Sequence, residues 1–370
     1  MEQNKKNILD GRTVDCNQLP SEQEPKSKRK RLLWTALFIA LAVLSIWAVS
    51  AQVKDFSLRD LADALARADF RWLFVAVIAM LGFIVFEACA LRSACNALRY
   101  PTSFRSDCIY AASDIYFSAI TPSATGGQPA CAFLMMRDGI PGTVTTAVLL
   151  LTLVMYSLAI LVIGFLCFVL SPDVFLRFGT PSKILILTGY VVQLALSLFF
   201  FLLLKSENLL ERICRGVLHF FGKLHLLRNE GKKQEKLSAV MKEYRQCAAL
   251  LSGHRTLLLR SFFFNFFQRA SQISVTMLVY LAMGGNAAHA ADIWAMQSYA
   301  VIGSNCVPIP GAMGISDYLM LDGFRAFLPP QTAVVMELLS RSLSFYCCIF
   351  LCGVIVLFFF KHRNRKGEKK

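Results

Sequence analysis

Five ionisable side chains sit within or at the edge of apolar stretches of this sequence: Glu87, Asp114, Arg269, Glu337 and Arg341. A charge at membrane depth is costly, so it turns into a helix bundle and pairs there, or it lines a substrate path. Arg269 follows Gln268 near the middle of the run from Leu257 to Met283. Its permanent charge and planar fork suit the oxygens of a phosphate, which makes it the expected cation for an anionic headgroup. Glu337 and Arg341 stand one helical turn apart, so a structural ion pair is an equal reading for them. Glu87 and Arg92 equally fit a place at the inner interface.

The second kind of chemistry is backbone chemistry. Between 117 and 139, Pro122, Pro129 and the adjacent Gly126 and Gly127 interrupt an apolar run, so no helix passes straight through. Broken backbone at membrane depth is tolerated only where protein buries it or it lines a wet cavity. A second copy lies downstream: Pro310-Gly311-Ala312-Met313-Gly314-Ile315-Ser316-Asp317 aligns without gaps on Pro122 to Pro129, with Pro, Ala and Gly identical. The offset is 310 − 122 = 188. Applied to the apolar segments beginning near Arg71 and Gly142, it lands close to the starts of two others, which reads as an internal duplication of helix, broken hairpin and helix. The broken ends present unpaired amides and a positive dipole end. Thr121, Pro122, Gly126, Gly127, Gln128, Pro310, Gly311 and Gly314 are therefore candidate substrate contacts, together with Asp114, Arg269, Glu337 and Arg341. Two readings of the glycines stay open: close approach of a phosphate to the backbone, or tight helix crossing.

Enzyme constellations are poor. His219, His225, His254, His289 and His362 fall in loops or tails, which argues against a Ser-His intramembrane protease and an HExxH metal site. No phosphate loop occurs. The 12 Cys form no CxxC pair, and most (Cys89, Cys131, Cys167, Cys347, Cys348, Cys352) lie in apolar segments as small hydrophobes. No catalytic residue, metal or cofactor is expected.

What positions these residues is a membrane bundle. The chain has 370 residues, 56% hydrophobic and only 17% charged, too apolar for a soluble domain. The net charge of +15 gathers beside apolar segments, so topology and anionic headgroups explain it better than nucleic acid does. Residues 1–31 read as a disordered basic tail. Leu32–Ala51 is an uncharged first span, and residues 56–69 form an amphipathic helix at the outer interface. Spans follow at about 71–91, 143–170, 184–204, 257–283 and within 332–360, with broken hairpins at 104–138 and 290–327. Membrane half one thus covers 32–204 and half two 257–360. Between them, 205–256 is a basic insertion too short for a catalytic domain with its own core. Residues 361–370 form a second basic tail. With both termini in the cytoplasm, the basic stretches all fall inside, and the two hairpins enter from opposite sides. The expected fold class is an all-α polytopic membrane protein with about six transmembrane helices and two broken re-entrant hairpins in an inverted repeat. Transporters of that architecture bind substrate between discontinuous helices.

At the two hairpins, Ser118-Ala119-Ile120-Thr121-Pro122-Ser123-Ala124-Thr125-Gly126-Gly127-Gln128-Pro129 and Pro308-Ile309-Pro310-Gly311-Ala312-Met313-Gly314, the sequence resembles the lysylphosphatidylglycerol synthase transmembrane family. This is the flippase-like membrane region of the multiple peptide resistance factor of bacteria, and the likeness runs from about residue 32 to 360. The resemblance implies movement of aminoacylated phosphatidylglycerol, or a related lipid, between leaflets of the bacterial cytoplasmic membrane, with resistance to cationic peptides as a consequence. The family's full-length members add a soluble domain that transfers lysine to phosphatidylglycerol. This sequence stops ten residues after its last span, so that activity is not expected here. Two other classes stay open: a membrane-embedded transferase with Asp114 or Glu337 as base, and a partner that docks a separate aminoacyl-lipid synthetase through the 205–255 insertion.

Overall fold

Helices account for the secondary structure throughout the described residues, as an apolar environment demands of a backbone that must bond within its own segment. The computed structural model describes residues 65–121, 124–205, 253–307 and 309–367, with a few positions between 211 and 251. The amino-terminal tail, the expected first span 32–51, most of the interfacial segment 56–69, Pro122, Pro308 and the bulk of the basic insertion lie outside them.

In chain order the helices are α1 (Phe70–Ala97), α2 (Phe104–Ile120), α3 (Gly127–Arg137), α4 (Gly142–Leu170), α5 (Pro172–Arg177), α6 (Thr180–Lys205), α7 (Arg255–Ala282), α8 (Ala290–Asn305), α9 (Ile315–Phe324), α10 (Pro330–Arg341) and α11 (Cys348–Gly367). Four of the described helical stretches are long and apolar enough to cross a membrane: α1, α4, α6 and Pro330–Phe359. The last of these joins α10 to α11 through a π-helical turn, Ser342–Cys347. The protein is an all-α multi-pass membrane protein.

Helix α7 has the 28-residue length of α1 but a more polar sequence. Its faces explain how it fits the bundle. Leu259, Phe263 and Phe267, one turn apart in succession, are exposed, while Ser261, Asn265 and Gln268 are almost fully buried. The helix is apolar outside and polar inside, the sense expected of a bundle in lipid. It runs antiparallel to α1. The Asp69 N–H ahead of α1 donates to Ala282 O at the far end of α7 (2.7 Å), and Gln268 Nε2 donates to Glu87 Oε2 midway along (2.8 Å).

Each hairpin is a longer limb, a break and a shorter limb. The first is α2 and α3, of 17 and 11 residues; the second is α8 and α9, of 16 and 10. The limbs after the breaks start at Gly127 and Ile315, and the helices after those at Gly142 and Pro330. Both pairs differ by 188 (315 − 127 and 330 − 142). Because α1 and α7 are the opening helices of the two copies and lie antiparallel, the duplication has the sense of an inverted repeat. Small residues allow the crossings. A Cβ on Gly189 of α6 would stand 2.2 Å from the Ile302 carbonyl oxygen of α8, and one on Gly353 of α11 would stand 2.9 Å from the Tyr116 ring of α2.

Candidate functional site

The first break opens at Thr121, extended at φ −111°, ψ 147° as the residue before a proline tends to be. Its hydroxyl donates to Phe117 O (2.7 Å) and accepts the Gly126 N–H (2.8 Å), closing the turn on itself. Gly127 is buried against the first limb: a Cβ there would meet Ser118 Oγ at 2.0 Å, Asp114 Oδ1 at 2.1 Å and Asp114 O at 2.5 Å. Of the two readings of these glycines, Gly127 fits the tight crossing. Next to it, Gln128 Nε2 donates to Asp114 Oδ2 (3.0 Å) and Ser118 Oγ donates to Asp114 Oδ1 (3.4 Å). The Asp114 carboxyl in turn meets that of Glu87 on α1.

The second break turns through a 3-10 segment, Pro310–Ala312, in which Gly311 has φ +59° and packs its Cα against the Phe345 ring. Gly314 has φ +80°, open space on its Cβ side, and an N–H that donates to Asp317 Oδ2 (2.8 Å). The amides of Gly126 and Gly314 are thus taken by protein side chains. Asp317 Oδ1 also lies 2.8 Å from Arg341 Nε, closer than Glu337 Oε1 at 4.0 Å. Arg341 Nη2 donates to Gly311 O (3.4 Å), so this arginine ties the second break to α10. Asp317 and Glu337 are fully buried, and neither oxygen of Glu337 has a hydrogen-bond donor.

Arg269 is held differently. Its guanidinium stacks over Tyr156 of α4, 4.1 Å from the ring centroid, and faces Phe83 of α1 at 5.3 Å. Nη1 donates to Gln272 Oε1 one turn on, while Nε is buried without a partner. Among the described residues no carboxylate comes within 4.0 Å of it.

These groups surround one cavity of about 620 Å³. Asp114, Ala124 and Gln128 reach it from the first hairpin, Gly311 and Ser316 from the second, and Arg269 and Arg341 from the flanking helices. That volume is the size of a small-molecule site. Of the candidate contacts, Asp114, Gln128, Gly311, Arg269 and Arg341 line it. Thr121, Gly126, Gly127, Gly314 and Glu337 do not line it. Among the described residues no cluster of His, Cys, Asp and Glu has a metal-holding arrangement.

Two participants were not evident from sequence. Asp317 stands in the first turn of α9, just after the second break, where nothing in the local sequence marks it, yet it is the nearer partner of Arg341. Gln268 was visible as a polar residue in an apolar run, but its partner Glu87 is 181 positions away.

The family model described as the lysylphosphatidylglycerol synthase TM region matches residues 33–352. A UPF0104 membrane protein of Archaeoglobus fulgidus is 22% identical over 327 residues, covering 85% of this chain and 95% of that protein.

Proposed function

The chain belongs to the family of the lysylphosphatidylglycerol synthase TM region, and from that premise we propose that it is a lipid translocase. It moves an anionic or aminoacylated phospholipid, such as lysylphosphatidylglycerol, between the leaflets of the cytoplasmic membrane. Protection from cationic antimicrobial peptides follows from the changed surface charge.

The observation that carries this reading is Arg269. It lines a cavity where two broken hairpins of a duplicated bundle meet, it has no carboxylate at ion-pair distance among the described residues, and two aromatic rings hold it in place. A guanidinium so placed offers its charge and fork to a phosphodiester, while the exposed apolar surfaces of α1, α4 and α6 face acyl chains. Binding at the junction of two inverted halves is also the arrangement from which alternating access works. In this reading both termini are cytoplasmic, and positions 175 and 287 are accessible from outside.

Reconstitution in liposomes with headgroup-labelled phosphatidylglycerol and lysylphosphatidylglycerol tests it. Leaflet exchange without chemical change is expected. A new lipid product would point instead to a membrane-embedded transferase, and no exchange of either lipid would sink the translocase.

A further inference from the structure

Two carboxyls and one guanidinium come together twice in the bundle. Glu87 and Asp114 stand near Arg269; Asp317 and Glu337 stand near Arg341. The two arginines differ in how committed they are. Arg341 is bound to Asp317 at 2.8 Å and to the Gly311 carbonyl, so its charge is already used. Arg269 touches neither carboxyl of its group at ion-pair distance and reaches into the cavity.

The surroundings of the Glu87–Asp114 pair are short of hydrogens. Gln268 Nε2 donates to Glu87, and Gln128 Nε2 and Ser118 Oγ donate to Asp114. The other ends of the same amides, Gln268 Oε1 and Gln128 Oε1, are buried acceptors without a donor, and Gln268 is only 3% exposed. Cys348 and Cys352 of α11 and Cys131 of α3 are the other titratable groups that act on the pair. Among the described residues, Arg269 is the cation that acts on either carboxyl.

We propose that the Glu87–Asp114 pair is a proton site linked to Arg269, so that an anionic lipid phosphate and a proton enter the cavity together. The inference rests on the lipid-translocase reading. With both carboxyls ionised, the group of three carries one negative charge. A phosphodiester drawn to Arg269 adds a second, in surroundings where unbalanced charge is poorly screened. One proton, taken from water onto a carboxylate oxygen, returns the group and its lipid to a single negative charge. It also turns that oxygen into a donor for its partner carboxyl or a bare amide oxygen. By linkage the effect is reciprocal: the bound lipid tightens the proton, and the proton tightens the lipid.

The test uses the full-length protein in detergent, with phosphatidylglycerol as the amine-free probe and a pH-indicator dye in weak buffer. Uptake of roughly one proton per lipid bound is expected, with affinity falling by up to about tenfold per pH unit on the alkaline side. Lipid binding with no proton uptake and a flat pH profile overturns the proton site and leaves the translocase standing. Failure of phosphatidylglycerol to bind at any pH removes the phosphate reading of Arg269, and this inference with it. Glu87→Gln, close in shape and without a titrating proton, should bind lipid with uptake abolished. If it takes up protons as the parent does, the pair is misassigned. Should that variant not fold, the parent protein's proton count and pH profile still decide the matter.

Discussion

Ala124 and Ala312 stand 188 positions apart and share a left-handed backbone, with φ of 53° and 51°. They are the one identical column of the two breaks that is neither proline nor glycine, so the repeat is preserved in conformation where little sequence identity survives. A non-glycine residue in that region costs about 1–2 kcal/mol, and it persists where the surrounding structure holds it.

Replacing either alanine with glycine should therefore hold or raise the apparent Tm of the detergent-solubilised protein. Valine, whose branched Cβ fits that region worst, should lower it by several degrees per site, at about 2–4 °C per kcal/mol for a chain of this order of size. Thermal unfolding of Ala124→Gly, Ala124→Val and the same pair at 312 decides the point. Equal Tm values for glycine and valine would mean that the turns relax at little cost.

The glycines separate by the same reasoning. At Gly127 a methyl group would overlap Asp114 backbone and side chain, so Gly127→Ala must push the two limbs apart. At Gly314 the space is open and only the φ of +80° resists a side chain, at about 1 kcal/mol. Gly127→Ala should lose most of its monodisperse peak in size exclusion, and Gly314→Ala should keep it. A normal profile for Gly127→Ala would show a first hairpin looser than its contacts imply.

The breaks were legible because their cause is local. Pro122, Pro129 and the Gly126-Gly127 pair forbid a continuous helix whatever surrounds them, and the spacing of 188 then placed the second copy. The interior charges were legible as well, since an arginine or glutamate in an apolar run has few other uses. What joins them was not. Helical spacing pairs Arg341 with Glu337, but the nearer carboxylate is Asp317, brought in by the turn of the second hairpin. The π turn at Ser342–Cys347 holds no proline or glycine that would mark it in the sequence.

Arg341 is expected to matter for folding. It is 8% exposed, and it is the one cation among the described residues paired with the buried Asp317 and Glu337. Removing one partner of a buried ion pair costs about 3–5 kcal/mol, because the carboxylates are left without a counter-charge. Arg341→Gln should therefore show as loss of folded protein, measured as the yield of monodisperse material. The double change Arg341→Met with Asp317→Asn should recover part of it. Full yield of folded Arg341→Gln would deny the pair its structural weight.

Arg269 should give the opposite pattern. An unpaired guanidinium at membrane depth costs at least about 2.5–3.5 kcal/mol on insertion scales, so nothing is gained for stability by keeping it there. Its contacts, the rings of Tyr156 and Phe83 and the amide of Gln272, orient it without neutralising it. Arg269→Lys keeps the charge and loses the fork; Arg269→Gln loses both. Charge-assisted hydrogen bonds contribute about 1.5–3 kcal/mol, or roughly ten- to a hundredfold in affinity. Exchange of labelled lipid in liposomes should fall mildly for Lys and by at least that factor for Gln, at membrane levels close to the parent. A structural arginine would lose folded protein instead, and any survivors would be fully active. If Arg269→Gln folds and exchanges lipid as the parent does, the phosphate contact lies elsewhere in the cavity.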